Sequence, residues 1–87
     1  MIHAFLDIDF EEAAKKLKSK YMVYFSENSF LIFVEMDGSI VPIKGLKKEG
    51  KTMLKTDPMY KGKSYPAKKV IRKLINLLEC KVIRENL

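Results

Sequence analysis

The chain has 87 residues, of which 47% are hydrophobic and 10% aromatic, and its formal net charge at pH 7 is +6. This length predicts one domain over residues 1–87, and the hydrophobic fraction excludes a disordered basic tail. The apolar runs are far shorter than the ~20 residues of a membrane-spanning helix, so we expect no membrane partner. Asp7 and Asp9 stand where a signal peptide is basic, and the single cysteine, Cys80, fits a reducing compartment. We therefore expect a cytoplasmic protein.

The positive charge is concentrated between Lys44 and Lys73. Eleven Lys or Arg residues against two acids give this stretch a charge of +9, whereas residues 1–43 carry −3 and residues 74–87 carry none. A block of this density is typical of proteins that bind a polyanion.

The first element that the pattern predicts is a helix over residues 10–20. Asp9 and Glu12 have the spacing of a capping box, and Phe10, Ala13 and Leu17 recur on one helical face. The apolar residues 1–6 before it fit an extended segment, without further assignment.

The period then changes to two, which predicts an antiparallel meander. Its three strands cover residues 21–25, 30–36 and 40–44. Asp37-Gly38 predicts a tight type I′ hairpin between the second and third strands. Pro42 lacks an amide donor, so the third strand is predicted to lie at an edge of the sheet.

Residues 45–50 are predicted to form a charged loop, and residues 52–56 a short fourth strand. A helical apolar stripe then predicts a helix over residues 66–79, while residues 80–87 fit a helix or a strand. We expect a small α+β domain in α-β-β-β-(β)-α order. Its antiparallel sheet would have three to four strands, with both helices packed on one face.

The start of the second helix is the best local candidate for an anion site. Ser64 is a predicted N-cap, and Lys61 and Lys63 precede the helix while Lys68 and Lys69 lie in its first turns. Cations are unfavourable at a helix N-terminus unless an anion binds there. The alternative is that these lysines only keep the surface charged and solvated.

The candidate nucleic-acid-binding residues come from the predicted loop and from this helix. They are Lys44, Lys47, Lys48, Lys51, Lys61, Lys63, Ser64, Lys68, Lys69, Arg72 and Lys73. Tyr60 and Tyr65 lie inside the basic stretch, where an exposed ring can stack on an unpaired base. The alternative for both tyrosines is packing of the ring against the domain.

Catalytic, metal and cofactor sites are not predicted. His3 has no Cys or carboxylate at ligand spacing, and Cys80 is predicted to be a buried or half-buried structural thiol. The acids between Asp7 and Glu12 are explained as a solvated helix start. We expect a protein that is not an enzyme and that holds neither metal nor cofactor.

The order helix, three strands, helix, with lysines at the start of the last helix, resembles two RNA-binding families. These are the double-stranded-RNA-binding domain and the small Alu-RNA-binding subunits of the signal recognition particle. The first family holds phosphates with Gly, Ser and Lys residues at the start of its second helix, and a loosely similar segment here contains Gly62, Ser64, Lys68 and Lys69. The resemblance is one of topology, and it implies RNA as the partner.

Two functions follow as expectations. The first is a non-enzymatic nucleic-acid-binding domain that holds the phosphate backbone, with RNA favoured over sequence-specific DNA. The second is a small protein-interaction regulator or inhibitor, of the kind that viruses encode, whose basic face binds an acidic protein. Both faces of the strand over residues 30–36 are apolar, so homodimerisation through the uncovered face is part of the second expectation.

Overall fold

The computed structural model describes residues 1–57 and 64–87, without the side chains of residues 22, 23, 64 and 65. The described elements, in chain order, are β1 (Ile2–Asp9), α1 (Phe10–Lys18), β2 (Met22–Phe25), β3 (Ser29–Met36), β4 (Ser39–Lys48), β5 (Lys51–Thr56), α2 (Ser64–Leu78) and β6 (Lys81–Asn86). In these described ranges, no helix is long and apolar enough to cross a membrane.

The six strands form one sheet in the order β2-β3-β4-β5-β1-β6, and every neighbouring pair is antiparallel. The predicted sheet of three to four strands is therefore wrong, because β1 and β6 add two strands outside the predicted elements. β1 is an interior strand and buries Phe5 as well as its helix-facing residues, so its sequence lacks a clear alternation. β6 is a mostly exposed edge strand with a weak apolar pattern.

Both helices pack on one face of the sheet and enclose a single core with it. The stripe of α2 is buried as predicted, and it consists of Ala67, Val70, Ile71, Leu74, Ile75 and Leu78. The predicted face of β3 is also confirmed, since Phe30, Ile32 and Val34 are buried while Leu31 and Phe33 are half-buried on the opposite face. Of the described elements, no helix covers the opposite face of the sheet.

The capping box predicted for α1 is wrong. Asp9 occupies the N-cap position but makes no side-chain hydrogen bond to the helix, and its carboxylate instead lies 3.5 Å from the Nζ of Lys51. The backbone amide of Phe10 donates to the carbonyl of Gly50 at 3.1 Å. The start of α1 is therefore fixed by the β4–β5 hairpin, which no local pattern encodes.

The predicted loop over residues 45–50 is wrong as well, because β4 continues to Lys48. Gly45, the first residue of the predicted loop, is buried opposite Phe30, and a Cβ atom there would overlap the phenyl ring. The turn is made by Glu49 and Gly50, with φ values of 54° and 77°. Asp37 and Gly38 form the predicted hairpin in the same way, with φ values of 51° and 80°.

Pro42 does not mark an edge strand, since β4 lies between β3 and β5. Its carbonyl accepts a hydrogen bond from the Thr56 hydroxyl at 2.7 Å, so this side of Pro42 faces β5. The β4–β5 pairing begins only at Lys44. The missing amide therefore falls beyond the end of that ladder, where a proline removes no strand hydrogen bond.

Candidate nucleic-acid interface

The structure divides the predicted cations among several parts of the surface. Lys61, Lys63 and Tyr60 lie outside the described residues, as do the side chains of Ser64 and Tyr65. The remaining predicted cations are on β4, β5 and α2, and none of them lies in a long loop.

Lys47 and Lys51 are already paired with carboxylates. Lys47 Nζ lies 2.6 Å from Glu11 Oε1, and this hydrogen bond lowers the pKa of Glu11 and raises that of Lys47. Lys51 Nζ lies 3.3 Å from Asp7 and 3.5 Å from Asp9, and the hydrogen bond to Asp7 is the main reason that its pKa is raised. These two lysines join the β4–β5 hairpin to α1 and β1, so their charge is largely compensated within the domain.

The largest group of described cations lies along the exposed side of α2. Lys68, Lys69, Arg72 and Lys73 line a shallow depression of about 480 Å³ together with Met36 and Asn76. None of these six described lining residues is acidic. Arg72 Nη2 also lies 2.8 Å from Glu85 Oε1 of β6, and this ion pair orients the Arg72 guanidinium beside the depression.

This grouping lowers the stability of α2. Lys68 and Arg72, like Lys69 and Lys73, are i,i+4 pairs of like charge, each unfavourable by about 0.2–0.5 kcal/mol. The first turn of α2 contains no acidic residue to compensate the helix dipole. A helix selected for stability alone would separate these charges, so their clustering favours an anionic partner.

Lys44 and Lys48 lie on the other side of the molecule. They alternate along β4 with Val41 and Ile43, which are buried under the helices, so they face away from α2. The structure thus does not bring Lys44 and Lys48 onto one surface with the α2 cations.

We define the helix-free face as the sheet surface opposite α1 and α2. One row of directly paired residues crosses all six of its strands: Tyr24, Leu31, Lys44, Lys55, His3 and Asn86. Tyr24 is 62% exposed, and its ring meets that of Phe33 edge-on at a centroid distance of 6.0 Å. Phe5, in contrast, is buried beneath the Arg84 guanidinium, which lies 4.6 Å from its ring centroid.

Sequence reasoning missed Tyr24 and Lys55 as site residues. Tyr24 was assigned correctly to a strand, and the Asp37-Gly38 hairpin fixes which residues of β3 and β4 share a face. Extending that register to β2 places Tyr24 opposite Leu31, which on its other side is paired with Lys44. The position of Lys55 depends on the β4–β5 turn. That turn lies at Glu49 and Gly50, whereas the prediction assigned all of residues 45–50 to a loop.

In residues 1–57 and 64–87, no group of three His, Cys, Asp or Glu side chains could hold a metal ion. Cys80 is half-buried, as predicted, and desolvation raises the pKa of its thiol. Every buried side-chain nitrogen or oxygen in these ranges has a hydrogen-bond partner.

The resemblance to two RNA-binding families rested on an α-β-β-β-α order. The observed order β-α-β-β-β-β-α-β has an additional strand at each end and four strands, not three, between the helices. Comparison with known proteins adds no relative: no family model, no curated protein and no solved structure matches the chain.

Proposed function

We propose that the chain is a non-enzymatic nucleic-acid-binding domain that contacts the phosphate backbone through the exposed side of α2. The observation that carries this proposal is the depression lined by Lys68, Lys69, Arg72 and Lys73, whose described lining contains no carboxylate. Phosphate contacts of this kind supply affinity without base specificity, and they release counterions from the nucleic acid. RNA is the favoured partner because the sequence contains neither a helix-turn-helix pattern nor a zinc-finger pattern.

The test is a fluorescence-anisotropy titration with short single- and double-stranded RNA and DNA at 50 and 200 mM NaCl. The variant carries Lys68→Gln, Lys69→Gln and Lys73→Gln, which leaves the Arg72–Glu85 ion pair in place. On duplex nucleic acid, each lost phosphate contact reduces the slope of log K against log salt by about 0.9. We expect the slope to fall by about 2 to 3 and the low-salt affinity to fall with it.

A matched control removes the same charge elsewhere. Lys15, Lys18 and Lys20 are exposed on α1 and just after it, so the triple Gln variant also loses three positive charges. Binding through the α2 surface predicts that this control keeps a salt slope close to that of the unsubstituted protein. An equal loss in both variants would mean that only net charge matters, and no binding at 50 mM NaCl would end the proposal.

The alternative of a protein-interaction regulator has one structural observation in its favour, the apolar residues of the helix-free face. Ile40 is 51% exposed there, and Leu31, Phe33 and Leu46 are half-buried. Docking of an acidic protein on this face predicts binding that α2 substitutions do not alter. Nucleic-acid binding through α2 is instead expected to weaken with these substitutions, so the α2 variant separates the two functions.

A further inference from the structure

The helix-free face has the chemistry of a second binding surface, distinct from α2. We propose that it binds single-stranded nucleic acid running across the strands, with a base against Tyr24 and phosphates at Lys44 and Lys55. This site rests on the proposed function only in its ligand class, because none of its residues lies on α2 or lines the depression beside it.

The cationic part of the site is the cross-strand pair of Lys44 and Lys55. Like charges placed directly opposite each other on neighbouring strands are destabilising, and this pair lies at the centre of the row. Lys44 and Lys55 line a depression of about 510 Å³, and Asp57 lines it as well. Among the described residues, no carboxylate oxygen lies within 4 Å of either Nζ atom. A bound phosphate would replace this repulsion with attraction.

The aromatic part of the site is Tyr24, two strands away from Lys44. A ring that is 62% exposed and held edge-on by Phe33 presents an ordered apolar surface to solvent. Stacking on such a ring requires an unpaired base, because the faces of bases in a duplex are already covered. Leu31 is half-buried and lies between Tyr24 and Lys44 in the row. The surface between the aromatic part and the cationic part of the site is therefore apolar.

The dimensions suit a short single strand. Five inter-strand spacings of about 4.8 Å make the row about 24 Å long, which is enough for several nucleotides. His3 and Asn86 end the row on the far side and add polar groups that can hydrogen-bond to bases or sugars.

A second copy of the chain is the main alternative occupant. A two-fold axis through the centre of the row would bring Lys44 and Lys55 close to their own counterparts. Such like-charge contacts are unfavourable at an interface, whereas a polyanion is complementary to them. The charge of this face therefore favours nucleic acid over self-association.

The test compares a single-stranded pyrimidine RNA with the duplex of the same sequence by fluorescence anisotropy. We expect Tyr24→Ala to weaken single-strand binding by roughly 5- to 160-fold, the range that corresponds to the loss of one stacked base. Tyr24→Phe keeps the ring and is expected to bind like the unsubstituted protein. Because Tyr24 is exposed on an edge strand, both variants should fold, which circular dichroism can verify.

The lysines are tested by the double variant Lys44→Gln/Lys55→Gln against Lys15→Gln/Lys20→Gln, which loses the same charge. For a single strand, two lost phosphate contacts reduce the salt slope by about 1.4. We expect this reduction in the first variant and not in the second.

The outcomes separate this inference from the proposed function. If the α2 variant loses affinity while the Tyr24→Ala and Lys44→Gln/Lys55→Gln variants bind normally, the inference is wrong and the proposed function stands. If no oligonucleotide binds at low salt, both are wrong. A dimer in light scattering that Tyr24→Ala dissociates would assign this face to a second copy and overturn the inference.

Discussion

Substitution of Gly45 by alanine tests how the middle of the sheet is built. Phe30 is 2% exposed, its ring stacks on Phe10 at 5.3 Å between centroids, and Phe25 meets it edge-on at 5.9 Å. The ring also covers the Cα of Gly45 on the neighbouring strand. With its neighbours on these sides, the phenyl ring has little freedom to move away from an added methyl group.

The magnitude follows from two opposing effects. Overpacking a core by a methyl group costs about 1–3 kcal/mol, while replacing glycine in an extended strand returns about 0.4–1 kcal/mol through the unfolded state. The two ranges leave a net cost of about 0–2.6 kcal/mol. Because the added methyl group would overlap the Phe30 ring itself, we expect Gly45→Ala to lower the free energy of unfolding by about 1–2.5 kcal/mol. For a domain of this size, each kcal/mol lowers Tm by roughly 4–8 °C.

The assay is urea denaturation followed by far-ultraviolet circular dichroism. The double variant Phe30→Leu/Gly45→Ala should be more stable than the sum of the two single effects, because the smaller side chain makes room for the methyl group. Gly38→Ala is the control: it is strained by its φ of 80° and its Cβ would meet nothing within 4 Å. Its cost should add to that of Phe30→Leu. A Gly45→Ala variant as stable as the unsubstituted protein would refute the packing argument.

Three further predictions concern single residues. Glu79 has a φ of 51° directly after α2, so Glu79→Gly should raise the free energy of unfolding by about 0.5–1 kcal/mol in the same assay; a loss of stability would contradict this. The buried Thr52 hydroxyl donates to the Ile8 carbonyl at 3.2 Å, so Thr52→Val should cost about 1 kcal/mol, and no change would mean that the bond contributes nothing. Burial raises the pKa of Cys80 above its ordinary value of 9.0, so the folded state keeps a proton that the unfolded state releases. The free energy of unfolding should therefore fall as the pH rises through 9 and above. The Cys80→Ser variant should lose less of its free energy of unfolding between pH 7 and pH 10.

The sequence predicts best where one face of an element is buried and the other is solvated. The stripe of α2, the alternation along β3 and the Asp37-Gly38 hairpin all follow from such local patterns. β1 could not be assigned in this way, because Leu6 faces the core while Phe5 is buried under Arg84 on the opposite face. Its strand character depends on partners that are about 50 and 80 residues away along the chain.

The candidate site could likewise be predicted only in part from local sequence patterns. The charge block between Lys44 and Lys73 is visible in the sequence, but its division between two faces depends on the length of β4. Gly45, which the prediction placed in a loop, lies inside β4 and leaves room for the Phe30 ring. Once β4 extends to Lys48, the alternation of the strand directs Lys44 away from the helices and Lys47 towards Glu11.

The place of β1 in the sheet has a consequence for how the chain folds. Its two neighbours are β5 and β6, which follow it in the chain by about 50 and about 80 residues, so neither partner is present when β1 is synthesised. Contacts of such long sequence separation slow folding, and an unpaired apolar edge promotes aggregation. We therefore expect one edge of β1 to stay unpaired in the nascent chain until β6 has been synthesised.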